Sequence, residues 1–122
     1  MKPNMTQDAF FKRLMFSEPN ENRHTLRALE LFNGKWRTQV LYTLCRHPSL
    51  RFGEIKKAIP PITNTMLTST LRNLEELGIV NRKQFNEIRP HVEYSLTTSG
   101  KALLPVFYEI AKWSEEYLVK YE

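Results

Sequence analysis

The spacing of apolar residues predicts a chain that is helical towards both ends and contains one β-hairpin. Apolar positions that recur every three or four residues mark one face of a helix, and they predict helices over 6–16, 24–32, 35–47, 53–59, 64–78 and 98–121. Residues 79–85 and 91–97 are rich in Val, Ile, Phe and Tyr and predict the hairpin, and residues 50–52 predict a very short strand. The predicted fold class is therefore mainly α with a small β-hairpin, an α+β arrangement.

Local signals indicate where several of these helices begin and end. Thr6 and Thr63 precede apolar-periodic segments and suit the N-cap position. Gly78 follows the last periodic residue of its helix, as expected at a C-terminus. Pro105 has no backbone N–H, so it must either kink the last helix or lie near its start.

The helix over 64–78 has an unusual outer face. Its inner stripe consists of four leucines at helical spacing, Leu67, Leu71, Leu74 and Leu77, and Thr70 beside them is predicted to be packed. The opposite face carries short polar residues followed by one arginine and one glutamate: Asn64, Thr65, Thr68, Ser69, Arg72 and Glu76. Solvated helix faces normally carry Glu, Lys, Arg or Gln, whereas Thr, Ser or Asn costs up to roughly 0.7 kcal/mol per position relative to Ala. This face therefore indicates a partner other than water.

Positive charge is concentrated in the middle of the chain. The whole chain has a net charge of +5, and residues 35–89 alone hold ten Lys or Arg against four Asp or Glu. The flanking segments carry +1 over residues 1–34 and −2 over residues 90–122. A single surface Lys or Arg is usually only solvated, but a basic block around a Thr- and Asn-faced helix favours a polyanionic partner.

Length and composition restrict the class of protein. With 122 residues, 41% of them apolar and 25% charged, the chain fits one globular domain. Its one cysteine, Cys45, excludes an intramolecular disulfide and suits a reducing compartment. The first sixteen residues lack the apolar segment of a signal peptide, and no run approaches the ~18 apolar residues of a membrane span. We therefore expect a soluble, cytoplasmic protein without membrane association.

Residues 53–96 have the layout of a winged helix-turn-helix, in which a short helix, a turn and a second helix precede a basic hairpin. The second helix of such a motif enters the major groove of double-stranded DNA, and short polar side chains let it approach the bases closely. The predicted major-groove residues are Asn64, Thr65, Thr68, Ser69 and Arg72, and Thr63 at the start of the helix is a further predicted DNA-binding residue. Phosphate contacts are predicted for Lys35, Arg51, Lys56 and Lys57, and backbone or minor-groove contacts for Arg82, Lys83 and Arg89, on or near the hairpin tip.

Other interpretations of the same residues stay open at this stage. Thr63 also suits a purely structural role as an N-cap. A β-hairpin taken alone is more often a structural element than a DNA-binding wing. The main alternative function is a winged-helix module that binds protein without DNA, and an apolar recognition face would favour it. An enzyme needs a clustered acid–base set, which the sequence does not suggest. His24, His47 and His91 are scattered, so neither a metal site nor a cofactor is predicted.

Four consecutive segments resemble the motifs of HxlR-type winged helix-turn-helix regulators, which are related to MarR-like regulators. The segments are FNGKWRTQVLYTL, LRFGEIKKAIPPIT, MLTSTLRNLEELGIVNRK and HVEYSLTTSGKALLPV. The resemblance covers about residues 24–113 and implies a bacterial or archaeal transcription factor that binds a palindromic operator as a homodimer. It implies one domain over 1–122, with a winged core at 24–97 and dimerisation helices at 6–16 and 98–121.

Apolar residues on the terminal helices agree with that implication. The arc on the last helix is broader than packing against one small domain requires, and so wide an apolar face must be buried somewhere. The predicted dimer-interface residues are Phe10, Phe11, Leu14, Leu103, Phe107, Ile110, Trp113, Tyr117 and Tyr121. The alternative is that the arc folds back onto its own winged core, with Trp113 as an ordinary core residue.

The chain departs from the family where several members carry a sensor. Those members have a Cys-Pro pair at the start of the helix before the GKW turn and use its thiol to sense electrophiles or oxidants, whereas Arg23 and His24 stand here. The resemblance therefore does not imply a thiol sensor. Cys45 lies beside Leu41 and Leu44 on an apolar helix and is predicted to be buried and inert. A small-molecule effector of unknown identity stays open as a further partner, because ligand sites favour junctions between a core and its flanking helices.

Overall fold

The computed structural model of the protein describes residues 5–18 and 22–118. The chain divides into two compact units, Met1–Gly34 and Lys35–Glu122. The first unit contains helices only, and the second contains the sheet together with the helices that pack on it.

The first unit consists of two short helices, α1 (Gln7–Phe16) and α2 (Arg23–Glu30). Thr6 caps α1 as predicted, since its hydroxyl accepts a hydrogen bond from the backbone N–H of Ala9. Arg13 links the two helices by donating from Nε to the side-chain carbonyl of Asn22, at 3.1 Å. Neither helix has a fully buried residue, so much of its apolar surface remains exposed, at Phe11, Leu14, Met15, Phe16, Leu26 and Leu29.

The second unit contains the elements predicted for a winged helix-turn-helix, in the predicted order. They are α3 (Lys35–Cys45), β1 (Leu50–Arg51), α4 (Phe52–Ala58), α5 (Asn64–Glu76), β2 (Val80–Phe85), β3 (His91–Leu96), α6 (Thr98–Lys101) and α7 (Leu104–Tyr117). The predicted short strand, hairpin and helix-turn-helix are therefore confirmed.

The core of this unit forms where α3, α4 and α5 pack together over the sheet. Three residues of α3 are buried against three leucines of α5, and isoleucines around α4 complete the core: Val40, Leu41, Leu44, Ile55, Ile59, Ile62, Leu67, Leu71 and Leu74. The prediction that Leu77 belongs to this core is wrong, because Leu77 caps the end of α5 and its side chain is 53% exposed. The inner stripe of α5 therefore ends at Leu74, two residues before the helix does.

The sheet has three antiparallel strands in the order β1-β3-β2. Val80 pairs with Leu96 and both are buried, so this face of the sheet is turned towards the core. Lys83 and Arg51 both pair with Glu93, from the two neighbouring strands. Side chains alternate between the faces of a strand, so these three charged residues lie on the opposite, outer face.

The predicted continuous helix over 98–121 is wrong in one respect: it is divided into α6 and α7. Thr97 caps α6 by accepting from the N–H of Gly100, and Pro105 lies in the first turn of α7, where its missing N–H costs no hydrogen bond. Pro105 is thus near a helix start, one of its two predicted placements. Residues 119–121 lie outside the described residues.

Gly100 tests the contact between α6 and the chain that follows α5. A Cβ atom on Gly100 would lie 2.4 Å from the carbonyl oxygen of Ile79, whereas one on the helical Gly53 would meet nothing within 4 Å. We expect Gly100→Ala to lower the free energy of unfolding by about 1–3 kcal/mol, because the backbone must move. The control Gly53→Ala should leave it unchanged or raise it by up to about 1 kcal/mol. Urea unfolding compares the two, and equal effects would contradict the described contact.

Candidate nucleic-acid interface

The outer face of α5 is held in place by hydrogen bonds near its start and by its buried leucines. Thr63 is the N-cap, as predicted, and its hydroxyl accepts from the N–H of Met66 at 3.1 Å. Thr70 is 8% exposed and its hydroxyl donates to the carbonyl of Met66, which confirms that it is packed. The rotation of α5 about its axis is therefore determined by its inner side.

The five residues predicted for the major groove are exposed and close together. They line one open surface depression, which is formed by Asn64, Thr65, Thr68, Ser69, Arg72, Asn73 and Glu76. Thr63 is also exposed, at the start of the same helix. Its seven lining residues are all polar or charged, with one positive and one negative side chain in the C-terminal half, so the depression offers hydrogen-bonding groups.

Asn73 is a member of this surface that sequence reasoning missed. It lies four residues after Ser69, so helical spacing alone places it on the same side of α5. Its side chain is half-buried, and among the described residues its amide oxygen is buried without a hydrogen-bond partner. That oxygen is covered and does not face an approaching molecule, so Asn73 is assigned to this surface because it lines the depression.

The three basic residues predicted for the wing occupy different positions on the hairpin. Arg89 is exposed in the loop of residues 86–90 that joins β2 to β3. Arg82 and Lys83 lie in the middle of β2 rather than near the tip, and as neighbours in a strand they point to opposite faces. The ammonium group of Lys83 lies 4.9 Å from the centre of the Phe85 ring, a cation–π contact.

The outer face of the sheet carries a hydrogen-bonded cluster around Glu93. One carboxylate oxygen accepts from the Ser49 hydroxyl at 2.8 Å, and the other lies 2.9 Å from Nε2 of His91. These two hydrogen bonds, Ser49 first, lower the pKa of Glu93, and the charge of Arg51 adds to the effect. The rings of His91 and Phe85 stack with centres 4.7 Å apart. Sequence reasoning missed this cluster, although the spacing of His91 and Glu93 by two places them on one face of a strand.

The predicted phosphate-binding residues are distributed over three elements. Lys35 begins α3, and its ammonium group lies 4.7 Å from the centre of the Trp36 ring. Arg51 ends β1, while Lys56 and Lys57 lie in the last turn of α4. Lys56 is half-buried and the other three side chains are exposed. All four therefore remain accessible to a polyanion.

The residues predicted for a dimer interface differ in exposure. Ile110, Trp113 and Tyr117 on α7 are about half exposed, at 49%, 54% and 48%. Leu103 and Phe107 are half-buried, and the Phe107 ring meets that of Tyr42 on α3 edge-on, with centres 6.2 Å apart. In the first unit Phe11 and Leu14 are exposed and Phe10 is half-buried, and Tyr121 lies outside the described residues. The base of α7 thus packs on its own unit, while its distal apolar residues do not.

Cys45 is less buried than predicted but has no activated thiol. Its side chain is half-buried at the end of α3, in a small cavity lined by Leu44, Cys45, Arg46, His47, Pro48, Leu96, Lys101 and Leu104. Partial burial raises the pKa of the Cys45 thiol, because desolvation disfavours the thiolate. The prediction of full burial is therefore wrong, whereas the environment agrees with low reactivity.

The described residues contain neither a group of metal ligands nor a helix suited to a membrane. In residues 5–18 and 22–118, no three His, Cys, Asp or Glu side chains are grouped as metal ligands would be. Among the same residues, no helix combines the length and the apolar character that crossing a membrane requires.

Comparison with known proteins identifies a family for most of the chain. The pattern of the HxlR-like helix-turn-helix family matches residues 31–122. An HTH-type transcriptional regulator of Methanothermobacter thermautotrophicus is 44% identical over 90 residues, which are 74% of this chain and 68% of the relative. The HTH-type transcriptional regulator YkvN of Bacillus subtilis is 46% identical over 88 residues, which are 72% of this chain and 74% of that protein.

A solved structure has the same fold. The reduced form of the transcriptional regulator YodB from Bacillus subtilis superposes with a TM-score of 0.73 at 30% sequence identity. The match covers 86% of this chain and 98% of the YodB chain. The similarity therefore extends beyond the winged core.

The thiol of Cys45 should react slowly. We expect iodoacetamide at about pH 7 to alkylate Cys45 several-fold more slowly than free cysteine, because burial raises its pKa and lowers the thiolate fraction. Mass spectrometry over time gives the rate, and the same chain unfolded in urea is the control that should react like free cysteine. A native rate above that of free cysteine would show an activated thiol.

Proposed function

The chain belongs to the HxlR-like helix-turn-helix family of DNA-binding transcriptional regulators, and we propose that it binds a palindromic operator as a homodimer. One observation carries the proposal: the exposed side of α5 presents short polar side chains in one depression, within a segment of strongly positive net charge. DNA lies in prokaryotic cells in the cytoplasm, where we place the protein.

We propose that α5 is the recognition helix. Asn64, Thr65 and Thr68 lie in its N-terminal half, the part that contacts base edges in helix-turn-helix proteins. Asn can pair bidentately with adenine, and the Thr methyl group can touch the methyl group of thymine. Arg72 and Asn73 lie a turn further along and extend the same surface. Short side chains allow the helix backbone to approach the groove floor closely.

The basic residues outside α5 suit contacts that position the protein without reading sequence. Lys35, Lys56 and Lys57 are assigned to phosphates, together with Arg51, whose charge is shared with Glu93 on the neighbouring strand. Arg89 at the hairpin loop is assigned to the DNA backbone or minor groove, while Arg82 and Lys83 in mid-strand add positive charge around it. Such contacts make affinity depend on salt.

The exposed apolar residues of α7 support the dimer. Ile110, Trp113 and Tyr117 follow one another at helical spacing and are not covered by the described part of their own unit. Contiguous apolar surface of this kind indicates an interface. We assign α7 and α1 as the dimerisation helices of a single HxlR-type domain. A two-fold axis there would place the two α5 helices about 34–36 Å apart, one turn of DNA.

A module that binds protein rather than DNA is the alternative function. It would need an apolar recognition face, and the depression on α5 is lined by polar and charged residues. The absence of the family's Cys-Pro pair, replaced by Arg23 and His24, and the unactivated Cys45 together favour a signal other than thiol oxidation.

Arg72 and Arg89 should contribute to DNA binding in different ways. On a duplex selected from a random library, Arg72→Ala should weaken binding by about 1–3 kcal/mol and relax the preference at one base position. Arg89→Ala should weaken binding to all sequences similarly. It should also reduce the slope of log binding constant against log salt concentration by about one, because one phosphate contact is lost. Fluorescence anisotropy over a salt series measures both.

Lys112→Ala is the matched control for these two variants. Lys112 is an exposed cation on α7 that pairs with Glu109, so its loss should change neither affinity nor slope. A parent protein whose binding does not depend on salt would contradict the DNA assignment. A parent that binds no duplex but captures a protein would favour the alternative function.

Carboxylates on the apolar side of α7 should separate the dimer. We expect Ile110→Glu and Trp113→Glu to convert the protein to a monomer at micromolar concentration, since a charge buried in an apolar interface is strongly unfavourable. Lys112→Glu, on the polar side of the same helix, introduces the same group and should remain dimeric. Sedimentation velocity gives the masses, and either a monomeric parent or a dimeric Trp113→Glu protein would refute the assignment.

A further inference from the structure

His91 makes two hydrogen-bonding contacts, and both partners can only accept. Its Nε2 lies 2.9 Å from a carboxylate oxygen of Glu93, and its Nδ1 lies 3.3 Å from the backbone carbonyl oxygen of Arg89. A neutral imidazole has one N–H, so it can satisfy only one of these acceptors, whereas the imidazolium form has two. Only the imidazolium form could donate to both acceptors at the same time.

The surroundings hold the ring in this position. Phe85 stacks on it with an angle of 10° between the ring planes, and the second oxygen of Glu93 is fixed by the hydroxyl of Ser49. Hydrogen bonds from Ser49 and His91 lower the pKa of Glu93, so the carboxylate is ionised at neutral pH and cannot act as a donor. Tilting the ring out of this plane towards another partner would break the stack.

We propose that protonated His91 is the positioning residue of the wing: it clamps the loop that carries Arg89, and loss of its second proton releases that loop and weakens operator binding. The proposal rests on the proposed function, in which Arg89 contacts DNA. Histidine is the side chain whose charge most commonly changes between about pH 5 and pH 8, the range over which the clamp is tested.

The sign of the effect follows from which contact survives deprotonation. The single N–H of the neutral ring stays on Nε2, because a hydrogen bond to the ionised Glu93 is stronger than one to a backbone carbonyl. Nδ1 then turns a lone pair towards the carbonyl oxygen of Arg89, and the loop loses its hydrogen bond to the ring. Operator affinity is therefore expected to fall as the pH rises.

The charged groups facing His91 come from every strand of the sheet. Glu93 beside it on β3 favours the imidazolium, whereas Arg51 on β1, Lys83 on β2 and Arg89 in the loop oppose it. Binding of DNA to this surface would neutralise those cations in part. Protonation of His91 and binding of DNA should therefore favour each other.

The free protein tests the clamp without DNA. NMR of the ¹⁵N-labelled chain reports the protonation of both ring nitrogens of His91 and, by relaxation, the order of residues 86–90 across about pH 5 to 8. We expect the loop amides to become more mobile along the same titration curve as the ring. Loop mobility that does not change while the ring titrates would overturn the proposal.

Glu93→Gln separates the clamp from simple attraction between a charged histidine and DNA. The glutamine carbonyl can still accept from Ser49, and its amide N–H can donate to Nε2 of a neutral His91, whose Nδ1–H then holds the Arg89 carbonyl. On a selected duplex the parent should lose about three- to tenfold in affinity from about pH 6 to pH 8. The Glu93→Gln protein should retain its affinity for the duplex at the higher pH. The His91→Gln protein should bind the duplex weakly at both pH values.

His47→Gln is the matched control, because His47 is an exposed histidine just after the end of α3 and is not one of the residues hydrogen-bonded to Glu93. It should show the pH dependence of the parent. A Glu93→Gln protein that follows the parent's pH dependence would overturn the clamp, since only charge attraction would remain. If the parent binds no duplex at any pH, the proposed function fails, and the NMR titration still decides whether His91 holds the loop.

Discussion

The structure depends on the packing of one helix stripe against another. Leu67, Leu71 and Leu74 of α5 are buried with Val40, Leu41 and Leu44 of α3. Burial of a leucine side chain contributes about 1.5–3 kcal/mol, so a rotation of α5 that exposed these residues would cost most of the stability of a small domain. The polar residues on the other side of α5 are therefore held outward, at the surface that we propose contacts DNA.

The two ends of α5 are also attached, and by different parts of the chain. Thr63 satisfies a backbone N–H at the start, while after the end the hydroxyl groups of Thr97 and Ser99 donate to the carbonyl of Gly78. Because Thr97 follows β3 and caps α6, these hydrogen bonds connect the end of α5 to the hairpin and to α6.

Features determined by local sequence could be predicted, and features determined by distant contacts could not. The Thr6 and Thr63 caps, the hairpin and the inward side of α5 follow from residue type and spacing, which act within a few residues. The packing of Gly100 against Ile79 depends on a contact between distant segments, and the His91 cluster depends on strand pairing that brings Ser49 and Glu93 together across 44 residues. Of the candidate site, the α5 face was predicted except for Asn73, and the mid-strand positions of the basic wing residues were not.

The central claim is that the outward residues of α5 read base sequence. Selection of bound duplexes from a random library, performed with the parent and with Asn64→Ala, tests it most directly. The account predicts a two-fold symmetric consensus with half-site centres about 10–10.5 base pairs apart, and for Asn64→Ala a lost preference at one position of each half-site. An identical consensus for both proteins, or no enriched consensus for the parent, would contradict it.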